Sequence, residues 1–241
     1  MANTYFQFKQ FTVHQQHSAM KVTTDACLAG AWMAHQLQKE GETFLEVLDI
    51  GAGTGLLSLM VAQKVEANID AVEIDSDAAQ QARDNFAQST WHQNLHLIEG
   101  DINTCELKKE YDCIISNPPF YEGELASPSA ARNLAHHSHQ LKLDILFKII
   151  YERLNVSGSF YLLLPYKRKS EIERLLQQSH LHIHTMIDVA PSVMHAPFRI
   201  LVKGGKVESL QKENQTFYIK DAADQYTPEF VQLLKDYYLY L

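Results

Sequence analysis

The chain lacks the residue patterns that mark secreted, metal-stapled and membrane-spanning proteins. Its 241 residues include only three cysteines, Cys27, Cys105 and Cys113, and no CxxC pair, which argues against a disulfide framework or a zinc ribbon. No apolar run reaches the roughly 20 residues that a membrane helix needs. The N-terminus, Met1 to Lys9, is polar and aromatic and has no signal-peptide pattern. We therefore expect a cytoplasmic protein with no membrane partner.

An excess of positive charge is also missing. The 21 Lys and Arg residues stand against 29 Asp and Glu residues, so the formal net charge is −8. This argues against nonspecific coating of nucleic acid, although a local basic groove remains compatible with it. Residues 167–169 form one basic cluster, which taken alone is typical of a solvated face. Hydrophobic residues make up 46% of the chain, and we expect a single domain over residues 1–241.

Strand-like and helix-like stretches alternate along most of the chain. The strand-like runs are Leu45–Ile50, Ile69–Ile74, Leu95–Ile98, Cys113–Ser116, Phe160–Leu164, His180–Val189 and Phe198–Lys206. The helical patterns are Thr24–Gln38, Leu56–Lys64, Asp77–Gln88 with Ser76 or Asp77 as N-cap, Leu141–Leu154, Lys167–Gln178, and Thr227–Tyr237 with Thr227 as N-cap. This alternation predicts an α/β, Rossmann-like fold with helices on both faces of a mostly parallel sheet. The connection Ala190–Pro197 is too short for a crossover helix, so the last of seven strands should be antiparallel.

A glycine-rich turn follows the first predicted strand of the sheet. Residues 49–55 read DIGAGTG, a GxGxG spacing that differs from the GxGxxG of dinucleotide binders. Asp49 lies near the end of the first strand, Glu73 lies at the end of the second, and Asp101 follows the third. A carboxylate at such a place can accept ribose hydroxyls or an adenine amine. The acids also suit a cationic sulfonium, and no pyrophosphate site is required. The pattern predicts S-adenosylmethionine as cofactor and a class I methyltransferase sheet.

The tetrapeptide Asn-Pro-Pro-Phe at residues 117–120 closes the fourth strand of this sheet. By itself it could be a strand terminator, but it should face the same crevice as the glycine turn. An aromatic exocyclic amine is a poor nucleophile because its lone pair is delocalised. The Asn117 side-chain carbonyl and the Pro118 main-chain carbonyl can draw its hydrogens out of the ring plane, and the prolines, Pro118 and Pro119, preorganise the backbone. Phe120 offers a stacking face.

These motifs together resemble the class I amino-methyltransferases. The segment FKQFTVHQQHSAMKVTTDACLAGAWM at residues 8–33 and the ending YTPEFVQLLKDYYLYL at residues 226–241 are similar to the bacterial tRNA1(Val) adenine-37 N6-methyltransferase family. The resemblance covers essentially the whole chain. It implies N6 methylation of an adenine in the anticodon loop of a tRNA, with no obligate protein partner, and a base in a loop is easily extruded.

The resemblance also implies roles for matching positions. Residues 1–43 would cover the cofactor, residues 121–140 would form a substrate loop, and residues 207–241 would be a C-terminal extension. The cofactor would be held by Lys21, Thr23, Thr24, Asp25, Asp49, Gly51, Gly53, Gly55, Glu73, Ile74, Asp101, Ile102 and Asn117. The target base would be gripped by Asn117, Pro118, Pro119 and Phe120, with Tyr121, Arg132 and His136 as further substrate contacts.

The sequence leaves two points open: the role of three neighbouring histidines and the identity of the methyl acceptor. His136, His137 and His139 lack a Cys or an acid at ligand spacing, so we expect no metal; exposed histidines of a loop are an equal alternative to phosphate contacts. Methylation of a DNA adenine or of a protein glutamine amide would also suit the tetrapeptide. The N-terminal segment argues against the glutamine amide, and the lack of a spare recognition domain argues against DNA.

Overall fold

The computed structural model describes residues 3–18, 20–41, 44–107, 109–119, 141–209 and 213–241. The strands are β1 Tyr5–Gln7, β2 Thr12–His14, β3 Leu45–Ile50, β4 Ala67–Glu73, β5 Leu95–Glu99, β6 Tyr111–Ser116, β7 Leu154–Pro165, β8 His182–Ser192, β9 Arg199–Gly205 and β10 Glu213–Lys220. The helices are α1 Thr24–Glu40, α2 Leu56–Ala62, α3 Ser76–Ala87, α4 Leu143–Arg153, α5 Lys169–Gln178 and α6 Pro228–Leu234, with a 3₁₀ turn at Tyr166–Arg168.

The main sheet has the strand order β10-β8-β9-β7-β6-β3-β4-β5, and β1 and β2 form a separate antiparallel hairpin. Strands β5, β4, β3, β6 and β7 run parallel, whereas β9 is antiparallel to both β7 and β8. The Rossmann-like class with an antiparallel strand in the second half of the sheet is therefore confirmed.

The sheet has eight strands in the described part of the chain, one more than the seven predicted. The extra strand, β10, pairs in parallel with β8. Its first half reads Glu-Asn-Gln-Thr and is exposed where side-chain burial is described. An edge strand is paired on one side only, so it needs no continuous apolar run and carries little of the pattern by which buried strands are recognised.

Helices cover both faces of the sheet with two apolar cores. Helices α1, α2 and α6 pack on one face, and α4 and α5 pack on the other. Strand β3 serves both cores, since Val47 belongs to the first core while Leu48 and Ile50 belong to the second. In the ranges described, the helices are too short or too polar to cross a membrane.

The helix caps match the predictions in one case and differ in another. Thr227 caps α6 as predicted, because its side chain accepts a hydrogen bond from the Phe230 N–H, and Pro228 follows as the first helical residue. The predicted N-cap of α3, Ser76 or Asp77, is wrong. The cap is Asp75, whose side chain accepts the Ala78 N–H at 2.8 Å. Asp75 has the extended backbone that a cap requires, whereas α3 already begins at Ser76.

Candidate active site

The predicted motifs meet at one edge of the sheet, where the parallel strands β3, β4, β5 and β6 end side by side. Ile50 at the end of β3 is paired with Val72 of β4 on one side and with Ser116 of β6 on the other. Glu73, the last residue of β4, is paired with Glu99 of β5. The carboxyl ends of neighbouring parallel strands are where open α/β sheets bind ligands.

The glycine turn at residues 51–55 takes its shape from backbone conformations that glycine adopts easily. Gly51, Gly53 and Gly55 have φ values of 74°, 57° and 79°, in the left-handed region. The Gly51 and Ala52 N–H groups donate to the Val72 carbonyl at 2.9 and 3.1 Å, which anchors the turn to β4.

The three glycines of the turn differ in what surrounds them. A Cβ atom at Gly51 or Gly53 would meet nothing within 4 Å, whereas a Cβ at Gly55 would lie 2.3 Å from Cε1 of Phe86 in α3. Gly51 is exposed and Gly53 is half-buried, and the open space beside both is suited to the close approach of a ligand. At Gly55, by contrast, the packing of α3 leaves no room for a side chain. The GxGxG spacing in the sequence does not separate Gly55 from the other two glycines.

Glu73 is 8% exposed and holds the turn from the end of β4. Its Oε2 accepts the Gly53 N–H at 2.7 Å and its Oε1 accepts the Asp75 N–H at 2.9 Å. Burial raises the pKa of Glu73 above its ordinary value, although these backbone donors oppose the rise. Each carboxylate oxygen keeps a further lone pair for a hydroxyl donor.

Asp49 is fully buried in β3, two residues before the turn. Its Oδ2 accepts the Ser58 hydroxyl of α2 at 2.7 Å, but no described group donates to Oδ1, which is buried. Burial raises the pKa of Asp49 to about 7, and the nearby Glu73 charge adds to the rise. A buried carboxylate oxygen without a partner is costly, and a cationic ligand would stabilise its charged form.

Asp101 lies just beyond the end of β5 and is half-buried. Its Oδ1 accepts both the backbone N–H and the side-chain amide of Asn103, at 2.9 and 2.7 Å, so this oxygen already stabilises a local turn. Ile74, beside Glu73, is 40% exposed, while Ile102 packs against the second core. An exposed isoleucine at a strand end offers an apolar surface for a flat ligand.

Asn117 and the two prolines follow β6 directly, as predicted. Asn117 is half-buried, Pro118 is buried and Pro119 is exposed. Ser116 pairs with Ile50, and Ile50 directly precedes the glycine turn. Asn117 therefore lies next to that turn. The remaining predicted substrate contacts, Phe120, Tyr121, Arg132 and His136, lie outside the described residues.

The predicted N-terminal residues occupy a turn and the start of α1. The Lys21 ammonium donates to the backbone carbonyls of Gln15 and Ser18. Thr23 is the N-cap of α1, followed by the exposed Thr24. Asp25 is ion-paired with Arg199, the first residue of β9, at 2.9 Å. These contacts fix the segment's own shape, and they leave Thr24 exposed to solvent.

Asn85 of α3 is a residue that the sequence predictions missed. It is 1% exposed, exchanges two hydrogen bonds with the backbone of His14 in β2, and donates a third to the Thr54 carbonyl, all at 2.9 Å. It thereby joins the N-terminal hairpin to the glycine turn. The sequence contains a hint of this role, because Asn85 is an amide on the otherwise alanine-rich buried face of α3. A buried amide is unexpected unless it is fully hydrogen-bonded.

The geometry at this edge fits S-adenosylmethionine. The unpartnered Asp49 Oδ1 suits a positive charge, the Glu73 carboxylate suits hydroxyl donors, and the space at Gly51 and Gly53 admits a ligand against the backbone. In the ranges described, no three His, Cys, Asp or Glu side chains are grouped to hold a metal ion. His136, His137 and His139 lie outside these ranges.

Comparison with known proteins gives the same assignment. Residues 23–185 match the model of the methyltransferase small domain family. A relative from Cytophaga hutchinsonii, a tRNA1(Val) (adenine(37)-N6)-methyltransferase, is 37% identical over 248 residues, covering 100% of both chains. A relative of the same description from Dyadobacter fermentans is 38% identical, covering 98% of each chain.

Among solved structures, the chain is similar to a predicted O-methyltransferase from Agrobacterium tumefaciens. The TM-score is 0.63 with 17% identity, over 88% of this chain and 96% of that one, a likeness that concerns the fold. The chain is an S-adenosylmethionine-dependent methyltransferase. It belongs to the methyltransferase small domain family and, within it, to the family of the tRNA1(Val) (adenine(37)-N6)-methyltransferases.

Proposed function

We propose that this enzyme transfers a methyl group to the exocyclic N6 of an adenine in tRNA, specifically adenine 37 in the anticodon loop of tRNA1(Val). The observation that carries the proposal is the position of Asn117 and Pro118 at the end of β6, beside the glycine turn at the end of β3. The names of the full-length relatives support the choice of tRNA and of the nucleotide. The same substrate supports a cytoplasmic location.

Asn117 and Pro118 activate the acceptor nitrogen. The Asn117 Oδ1 and the Pro118 carbonyl oxygen accept the two N–H hydrogens of the adenine amine, which localises the nitrogen lone pair and directs it away from the ring. Proline has a fixed φ, so the Pro118 carbonyl needs little reorganisation as the amine changes geometry. S-adenosylmethionine supplies an electrophilic methyl group on a cationic sulfonium. No strong general base is required, because the amine loses its proton to solvent only after the N–C bond has formed and the methyl C–S bond has broken.

The cofactor half of the site uses the acids and the open turn. Asp49 Oδ1 compensates positive charge, the Glu73 carboxylate accepts ribose hydroxyls, and Asp101 accepts the adenine amine of the cofactor through the oxygen that Asn103 does not use. Gly51 and Gly53 let the backbone approach the ligand. Ile74 packs against the cofactor's base, with Ile102 beside Asp101.

The N-terminal segment, residues 1–43, covers the cofactor in this proposal. The support is its attachment: Asn85 joins His14 to Thr54 of the glycine turn, and Asp25 joins α1 to β9. Lys21, Thr23 and Thr24 then lie between these two attachments. The chain would act as one domain over residues 1–241, with residues 207–241 as an extension and residues 121–140 contacting the tRNA.

The experiment is methylation of a tRNA1(Val) transcript with labelled S-adenosylmethionine, followed by mass spectrometry of the nucleosides. We expect N6-methyladenosine from the natural transcript and none from a transcript with guanine at position 37. A duplex DNA containing adenine and a glutamine peptide serve as competing acceptors. Methylation of either acceptor in preference to the tRNA would overturn the proposal.

A further inference from the structure

Ser116 makes a side-chain hydrogen bond between the carboxyl ends of β6 and β3, in addition to the backbone ladder that pairs these strands. Its hydroxyl donates to the Ile50 carbonyl at 2.7 Å, and both residues are buried, Ser116 completely. Ile50 is followed by the glycine turn, and Ser116 is followed by Asn117. One hydrogen bond therefore connects the residues immediately before the cofactor turn and the acceptor-binding residues.

A hydroxyl at this place has a physical reason. The ladder between β3 and β6 ends at the pair Ile50 and Ser116, and the chain continues through Pro118 and Pro119, which have no N–H to donate. The Ser116 hydroxyl adds a donor at this strand end, one residue before the two prolines. A buried hydroxyl is tolerated only when it is hydrogen-bonded, so this bond is a specific feature of the strand end.

We propose that Ser116 is a positioning residue that sets the distance between the methyl donor and the target amine. The proposal rests on the proposed function, because it assumes that Asn117 holds the amine. Ser116 is completely buried and would contact neither the methyl donor nor the target amine. It acts through its hydrogen bond, which holds the end of β6 before Asn117 against the end of β3 before Gly51. Misplacement by about 1 Å can slow a reaction by about 100-fold, so the loss of this hydrogen bond should affect the chemical step.

Two matched pairs of side chains test this. Ser116→Ala removes the hydroxyl with little change of volume, and Ser116→Thr and Ser116→Val have the same added volume but differ in the hydroxyl. We expect single-turnover methylation to slow by roughly 10-fold or more in Ser116→Ala, with unchanged dissociation constants for S-adenosylmethionine and tRNA. The threonine variant should react faster than the valine variant, even if both are overpacked.

Ser89→Ala is the control for losing a buried hydroxyl. Ser89 is 7% exposed and donates to the Phe86 carbonyl at 2.8 Å, just after α3 and away from the strand ends. This variant should lose stability but keep the wild-type methylation rate. An equal slowing in Ser89→Ala and Ser116→Ala would overturn the positioning role, as would a wild-type rate in Ser116→Ala or a matching loss of cofactor affinity.

A second measurement separates this inference from the tRNA assignment. Hydrogen exchange at the Gly51 and Ala52 amides, in protein saturated with S-adenosylmethionine, should be faster in Ser116→Ala and Ser116→Val than in wild type and Ser116→Thr. If wild-type enzyme fails to methylate tRNA, the proposed function falls while this exchange pattern still decides Ser116. Identical exchange rates in all four proteins would show that the Ser116–Ile50 hydrogen bond does not hold the glycine turn, and would overturn the inference.

Discussion

The glycine turn at residues 51–55, the proposed cofactor turn, and the proposed acceptor segment at residues 117–119 lie beside each other at one edge of the sheet but are built in opposite ways. The cofactor turn depends on left-handed glycines and on backbone N–H groups that are held by Val72 and Glu73. The proposed acceptor segment contains two prolines, which remove both backbone freedom and N–H donors. A turn that must admit a ligand closely needs residues without side chains, whereas a turn that must present a carbonyl in one direction needs a restricted backbone.

The largest effect is expected from Asn117→Ala, which changes the proposed acceptor segment. The variant removes one of two acceptors of the amine but keeps the prolines and the cofactor half, so we expect turnover to fall by about 10²–10³. The dissociation constant for S-adenosylmethionine should change much less than turnover, because in the proposal most cofactor contacts come from the acids and the glycine turn. Single-turnover methylation of the tRNA, alongside calorimetry with the cofactor, measures both quantities.

Asn117→Asp is the matched variant. It keeps an acceptor oxygen at the same position, so part of the activity should survive. A wild-type rate in Asn117→Ala would mean that the tetrapeptide serves only to end β6.

The cofactor turn is tested by comparing Gly53→Ala with Gly55→Ala. Both place an L-residue at positive φ, at a cost of about 1–2 kcal/mol. Only Gly55→Ala also drives a Cβ into the ring of Phe86, which should cost about 1–3 kcal/mol more in the free energy of unfolding. Gly53→Ala should instead lose cofactor affinity, because its methyl group enters open space beside the backbone.

Chemical denaturation and cofactor calorimetry on the two variants give the answer. If Gly53→Ala unfolds more readily than Gly55→Ala, the division of the turn into a ligand-facing part and a packing part is incorrect.

A smaller effect is expected from pH, through Asp49. Its pKa is raised from 3.8 to about 7 in the free protein, and a bound cation would lower it again. Binding therefore releases a proton below pH 7, so the affinity for S-adenosylmethionine should increase with pH up to about 7 and then level off. Below the pKa the loss approaches about tenfold per pH unit.

The free protein should show the opposite trend in stability. The folded state keeps the Asp49 proton that the unfolded chain releases above pH 3.8, so this contribution to stability falls between about pH 4 and 7. Asp49→Asn should remove both trends, as followed by calorimetry and by denaturation at several pH values. Equal pH dependence in Asp49→Asn and wild type would assign the titration to another group, with Glu73 the nearest candidate.

The smallest effect on activity is expected from Thr227→Ala, a stability control that changes neither the glycine turn nor residues 117–119. Thr227 caps α6 and also donates to the Tyr218 carbonyl at 2.7 Å. Loss of an N-cap costs about 1 kcal/mol, so the melting temperature should fall while the methylation rate of the folded enzyme stays at the wild-type value. A slower rate in this variant would show that stability alone lowers activity, and would weaken the conclusions drawn from the other substitutions.

Much of the fold follows from local patterns, and the exceptions have physical causes. Buried strands such as β3 and β6 are recognisable because both faces are apolar, and Thr227 with Pro228 marks a helix start in any context. The edge strand β10 escaped prediction because half of it faces solvent, and the α3 cap was misplaced because several neighbouring residues have capping side chains. Strand ends and caps depend on which backbone groups are left unpaired, and that is settled only by packing.

Residue types close together along the chain are sufficient to predict the order of seven strands and six helices, the glycine-rich segment, the strand-ending acids and the Asn-Pro-Pro segment. The surroundings of single side chains within that framework are visible only in the folded structure. It separated Gly53 from Gly55 through Phe86, left Asp49 Oδ1 buried without a described partner, and brought Ser116 onto the Ile50 carbonyl. These contacts join residues far apart in sequence, so no local pattern encodes them and only the folded arrangement of the strands creates them.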